Sequence, residues 1–181
     1  MQVYKQTLPD TCLPSCLMMY LSYLGKIKEG NIRLEVEILT EGGSISRLNR
    51  TFGHLLYICE HYQLNAIYTS ENQVACNEAD RILKNRKNVK YVDIQKGAIN
   101  SNYIKDLLKG TPVIVGVDNY VFNEDFHFPH FVIVEKFEKN NFQLIEPWRG
   151  ERLNVNRDTL DEAINKLSDY LLYWKELITF N

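Results

Sequence analysis

Cys12 stands two residues before Pro14. Proline is accommodated only in the first turn of a helix, where its missing N–H is not needed. A helix must therefore begin near Thr11 to Ser15, with Cys12 at its N-terminus. Unpaired N–H groups and the helix dipole favour an anion there, so a thiol at this place has a lowered pKa and is the better nucleophile. The alternative reading of Cys12 is a small buried hydrophobe. A cysteine nucleophile needs a base. Two histidines compete for that role in Asp125-Phe126-His127-Phe128-Pro129-His130. His130 opens the apolar run Phe131 to Val134, where a strand would hold its ring. His127 falls in the preceding loop between aromatics, as a structural or substrate-facing residue. A base is in turn oriented by a third group. Glu146 ends the next apolar run, immediately before Pro147 and Trp148. If the two runs form a hairpin turning at Asn140, their outer ends lie side by side and Glu146 stands next to His130. Its alternative is a solvated strand end.

Other constellations carry less. Cys12 and Cys16 are four apart, but no third and fourth ligand stands at a recognised spacing, so neither metal nor cofactor is expected and Cys16 reads as core. Cys59 and His61 do not share a helix face. His54 and His61 read as surface neighbours. Gly42-Gly43 lacks the lysine and spacing of a phosphate loop. The 21 basic residues against 23 acidic ones give a net charge of −2 with no basic stripe, which disfavours nucleic acid as a partner. Four scattered cysteines are too few for a disulfide scaffold. Leu13 to Leu24 is apolar, but it is interrupted by Pro14, lacks a cleavage site after it and is too short to span a bilayer. The expectation is a soluble cytoplasmic protein without membrane insertion. Asn49-Arg50-Thr51 matches a glycosylation sequon by chance.

The elements that must position these residues fall into two halves. Leu17, Leu21 and Leu24 recur at helical spacing, and Gly25 supplies a C-cap. Gly42-Gly43 reads as a turn, with Ser44 capping a second helix to about Gln63. A strand near Leu64 to Tyr68, a helix near Asn77 to Asn85, a strand at Tyr91 to Ile94 and a helix at Ser101 to Lys109 follow. Pro112 to Val117 is a continuous β-branched run, as in a central strand covered on both faces. His130 to Phe137 and Phe142 to Glu146 are strands joined by a tight turn at Lys139-Asn140-Asn141, and Arg157 to Tyr173 is a C-terminal helix. The whole, residues 1–181, reads as one α+β domain with helices first and an antiparallel sheet second. Its 45% apolar residues can fill one sizeable core.

Gln6, Asp10-Thr11-Cys12 and Ser15-Cys16-Leu17-Met18-Met19 together resemble the N-terminal motif of the C39 family of papain-like cysteine peptidases. Those peptidases include the leader-processing domains of bacteriocin exporters. His130-Phe131-Val132-Ile133-Val134 is similar to the family's His-aromatic-aliphatic strand, and Glu146-Pro147 stands in the place of its Asp-Pro. Gly43-Ser44 before an apolar helix is a weaker match. The resemblance implies a papain-like fold with Cys12 as nucleophile, His130 as general base and acid, and Glu146 orienting His130. It further implies an oxyanion hole made by the Gln6 side chain and the Cys12 backbone N–H. Leu13 stands where the family has Gly, which narrows the approach to the thiol, and Glu146 is one methylene longer than the usual Asp. The implied function is hydrolysis of a peptide or amide bond through a thioester. The alternatives are acyl or peptidyl transfer on the same machinery, and a non-catalytic binding module. The aromatics of the loop from Asp118 to Pro129 (Tyr120, Phe122, Phe126, Phe128) either meet apolar substrate side chains or pin the loop to the core.

Overall fold

The computed structural model describes residues 1–86, 91–124 and 126–181, so Asp125 lies outside the described residues. Pro14 does start a helix, α1 (Cys12–Tyr23), in which Leu13 through Leu21 are buried. Gly25, at φ 68°, and a bond from Lys26 N–H to the Leu21 carbonyl close its end. The apolar run is thus spent on packing, and among the described residues no helix is long and apolar enough to cross a membrane.

The next segment departs from expectation. In place of a glycine turn and one long helix stand α2 (Ile32–Glu37), a π-helical turn (Ile38–Gly42), α3 (Gly43–Ile45) and α4 (Arg50–Tyr62). Gly42 is helical at φ −62°. It is glycine because of contact: a Cβ there would lie 2.7 Å from His54 Cα, and one on Gly53 would lie 2.5 Å from the Gly42 carbonyl oxygen. The two glycines let α4 cross the π-turn backbone to backbone. The cap of α4 is Asn49, whose side chain accepts the Phe52 N–H at 2.9 Å. Asn49 is buried, which leaves no room for a glycan on the sequon.

The chain continues through β1 (Ala66–Ser70), α5 (Gln73–Lys84), β2 (Val92–Lys96), α6 (Ser101–Leu107), β3 (Val113–Asp118) and α7 (Tyr120–Asn123). It ends with β4 (Pro129–Glu138), β5 (Asn141–Glu146), β6 (Glu151–Val155), α8 (Arg157–Asp169) and β7 (Glu176–Phe180). Among the described residues the strands form one seven-stranded sheet in the order β2-β1-β7-β3-β4-β5-β6. Neighbours are antiparallel except β1 and β2, which are parallel. The mixed α+β architecture is as expected, with corrections in detail. The C-terminal helix stops at Asp169, not Tyr173, and β6, α7 and β7 were not anticipated. β7 enters between β1 and β3, so strands from the middle of the chain join the same sheet as those of its second half.

Side chains alternate across this sheet. Ile114, Ile133, Ile145 and Ile178 face the side covered by α1 and α4. Val113, Val115, Val132, Val134, Leu144 and Leu177 face the side covered by α6 and α8. The β4–β5 hairpin turns on Lys139 and Asn140, both left-handed at φ 50° and 66°, as a two-residue turn between twisted strands requires. Its ladder shifts by one residue between Val134 and Lys136, leaving Glu135 without a cross-strand partner.

Candidate active site

Cys12 is the first residue of α1, and the Thr11 before it makes no side-chain cap. The Thr11 hydroxyl turns back to the Leu8 carbonyl at 2.6 Å. The partly exposed thiol therefore stands at an uncapped helix start, on the wall of a cavity of about 410 Å³ that Gln6, His54, Phe128, His130 and Trp148 also line.

His130 lies at the start of β4 and is buried. Its Nε2 donates to Glu146 Oε1 at 2.6 Å. On the shifted ladder Ile133 is opposite Ile145, so Glu146 reaches His130 along the diagonal of the strand pair. Two backbone N–H groups hold the carboxylate from below, Trp148 to Oε1 at 2.6 Å and Arg149 to Oε2 at 2.8 Å. Burial pushes the Glu146 pKa up, but His130 and these two donors outweigh it and hold the group below the usual carboxylate range. For His130, burial opposes the charged ring, whereas the Cys12 thiolate and Glu146 favour it. The result is a pKa pushed up to about 9. With Nε2 committed to Glu146, the nitrogen left for Cys12 is Nδ1, which is buried and has no aligned hydrogen-bond partner among the described residues.

Gln6 approaches from the N-terminal segment. Its N–H donates to the Pro147 carbonyl at 2.8 Å, which ties the segment to the turn beneath Glu146. Its Nε2 donates to the Leu8 carbonyl at 3.0 Å, while Oε1 is buried without a partner among the described residues. Leu13 is buried and also lines the cavity beside the thiol. Cys16, one turn along, is sealed in the core, where its thiol meets the Phe131 carbonyl at 3.5 Å and burial pushes its pKa well up.

The structure thus brings Cys12, His130, Glu146 and Gln6 to one place. His127 belongs elsewhere. Its Nδ1 is 2.6 Å from the buried Asp118 carboxylate, and its ring stacks between Tyr120 at 4.2 Å and Tyr170 at 4.0 Å. Asp118 is therefore committed to His127, not to His130. The loop aromatics divide between the core and the cavity wall. Phe122 packs into the core, and Tyr120 holds His127. Phe126, 59% exposed, forms the cavity's lip. It leads at 4.8 Å to Phe128, which meets His130 edge-on at 5.6 Å and Trp148 at 5.9 Å.

His54 and Tyr173 are among the cavity residues that sequence reasoning missed. His54 was expected at the surface with His61. It is instead buried in the cavity wall, its Nε2 directed at the Leu39 carbonyl at 3.3 Å. Burial, helped by Arg50, lowers its pKa to about 4, so the ring is neutral at physiological pH. Tyr173, assigned to the last helix, likewise lines the cavity. The signal for His54 lay in the Gly42 and Gly53 pair, which only a long-range contact explains.

No family model matches this chain, and no curated protein matches it by sequence. Solved structures do. A double glycine motif protease from an AMS/PCAT transporter, solved in complex with the leader peptide, aligns over 98% of this chain and 89% of its own, with 17% identity and a TM-score of 0.53. A Bacillus anthracis protein classed as a C39-like peptidase aligns over 99% of this chain and 94% of its own, with 13% identity and a TM-score of 0.58. The fold that carries this cluster is that of the C39 papain-like cysteine peptidases.

Proposed function

We propose that the chain is a cysteine peptidase-like hydrolase that cleaves a peptide or amide bond through a thioester on Cys12. The observation that carries this reading is the buried His130–Glu146 pair, with its free Nδ1 beside a thiol at an uncapped helix start. His130 takes the thiol proton, and the thiolate attacks the carbonyl carbon of the substrate. The Cys12 N–H and the Gln6 carboxamide receive the developing oxyanion. As the tetrahedral intermediate collapses, the C–N bond breaks and His130 returns the proton to the leaving amine. A water deprotonated by the same ring then attacks the thioester and frees the acid and the thiol. A peptide substrate is supported by the structural neighbour solved with a leader peptide. Four free cysteines fit a reducing, cytoplasmic compartment.

The test is competitive alkylation of the native protein with limiting iodoacetamide, followed by peptide mapping. Cys12 should react at least tenfold faster than Cys16, Cys59 and Cys76, and His130→Ala should remove that advantage. Equal labelling of the four thiols in the folded protein would sink the reading.

A further inference from the structure

Glu35 is a buried carboxylate that the chemistry above does not use. It lies on α2, fully enclosed, and each of its oxygens takes two hydrogen bonds. Oε1 accepts the Thr7 N–H at 2.9 Å and the Ser15 hydroxyl at 3.2 Å. Oε2 accepts the Thr7 hydroxyl at 2.5 Å and the Tyr4 hydroxyl at 2.8 Å. Burial alone would raise the pKa of this group, but the threonine and tyrosine donors outweigh it, so it is held ionised. A charge sealed from water with four donors is costly to build and fixes direction in a way that apolar contacts do not.

What it fixes is specific. Tyr4 and Thr7 bracket Gln6 along the chain, and Ser15 is three residues beyond Cys12, about one helical turn. One carboxylate therefore holds together the segment that presents the Gln6 carboxamide and the turn of α1 that presents the Cys12 N–H. On the other side, the bond from Gln6 N–H to the Pro147 carbonyl steadies the same segment. We propose that Glu35 is the positioning residue of the oxyanion hole, setting the distance between its two donors. The proposal rests on the roles given above to Gln6 and Cys12. Glu35 touches no reacting atom, so its effect must be confined to steps in which an oxyanion forms.

Two reagents separate such steps. Alkylation by iodoacetamide displaces iodide at a saturated carbon and creates no oxyanion. Acylation by p-nitrophenyl acetate passes through a tetrahedral oxyanion before the C–O bond breaks and p-nitrophenolate leaves. The measurement is the ratio of acylation to alkylation rates at Cys12, mapped by mass, in wild type, Gln6→Ala, Glu35→Gln and Thr7→Val. Gln6→Ala should lower the ratio by about 10²–10³-fold, as loss of one oxyanion donor does. Glu35→Gln should lower it by about tenfold or more with alkylation within twofold of wild type. The double variant should fall by less than the product of the singles. Thr7→Val removes one donor of the clamp at constant shape and keeps the test available if Glu35→Gln does not fold. A ratio unchanged in folded Glu35→Gln, or in Thr7→Val where the former is unfolded, overturns the proposal. An unchanged ratio in Gln6→Ala overturns the oxyanion-hole assignment and the proposal with it, whereas slow alkylation of wild-type Cys12 strikes the hydrolase reading itself.

Discussion

His130 and Glu146 meet out of contact with solvent, Nε2 to Oε1 at 2.6 Å, and that same oxygen accepts the Trp148 N–H at 2.6 Å. A carboxamide at position 146 can reproduce at most part of this. If its oxygen keeps His130 and Trp148, its NH₂ must face the Arg149 N–H, donor against donor. Glu146→Gln should therefore lower turnover by about 10²–10⁴-fold, the scale of triad-acid loss elsewhere, and lower the melting temperature as well. Glu146→Asp keeps the charge and should retain far more activity. Turnover of the Gln variant at the wild-type rate would make the carboxylate a bystander.

The titration of His130 depends on its neighbours. A folded-state pKa of about 9 against an ordinary 6.5 means that the pairing stabilises the fold fully below pH 6.5, and that this contribution is lost as pH rises through about 9. Acylation that requires the imidazolium to protonate a leaving amine should decline over the same upper range. In Cys12→Ala the thiolate is gone and burial opposes the charge with Glu146 alone against it. The His130 pKa should then fall, as followed by its ring nitrogen shifts in NMR. A titration identical to wild type would show that Cys12 does not act on the ring.

Glu176 has a different lot. It is buried between the Thr51 hydroxyl at 2.6 Å and the Tyr68 hydroxyl, and burial pushes its pKa up to about 7 from 4.5. The folded state then holds a proton that the unfolded chain releases, so stability falls as pH rises from 4.5 through about 7. Glu176→Gln removes the titration and should gain on the order of 2–3 kcal/mol relative to wild type at pH 8 over its effect at pH 4.5. Urea unfolding of both proteins at the two pH values measures it; an equal difference at both would refute the linkage.

Gly53 should not tolerate even a methyl group. A Cβ 2.5 Å from the Gly42 carbonyl oxygen has only backbone to push against. Gly53→Ala should cost on the order of 1–3 kcal/mol or more in denaturant unfolding. It should also shift His54 and Arg50 in the cavity wall. Gly43→Ala, whose nearest contact would be the His54 ring at 3.5 Å, is the tolerated control.

What could be read from the sequence was what short-range rules govern. Pro14 fixes a helix start by its own covalent geometry, and with it the place of Cys12. The Lys139-Asn140 turn and the apolar runs beside it place His130 and Glu146 at one end of a hairpin. The segment around Gly42 was misread because glycine signals both turns and close backbone contacts, and only the contact with α4 decides between them. The strand β7 was missed for a similar reason. Its place between β1 and β3 depends on partners far away in the chain, and no local period marks it. His54 followed the fate of Gly42, since the crossing that buries it was not foreseen.

Glu135 makes the meeting of His130 and Glu146 a matter of parity. On the turn side of it Phe137 faces Phe142; beyond it Ile133 faces Ile145. Were Glu135 instead paired with Leu144 in a ladder without the bulge, Ile133 would face Glu146. The carboxylate would then point to the opposite side of the sheet from His130, because side chains alternate. The hairpin tip can therefore lengthen without touching the pair, whereas a one-residue slip that absorbs the bulge into the ladder separates it. Deleting Glu135 should, by contrast, regularise the ladder and keep His130 beside Glu146, because Val134 already faces Leu144 and Lys136 already faces Gln143.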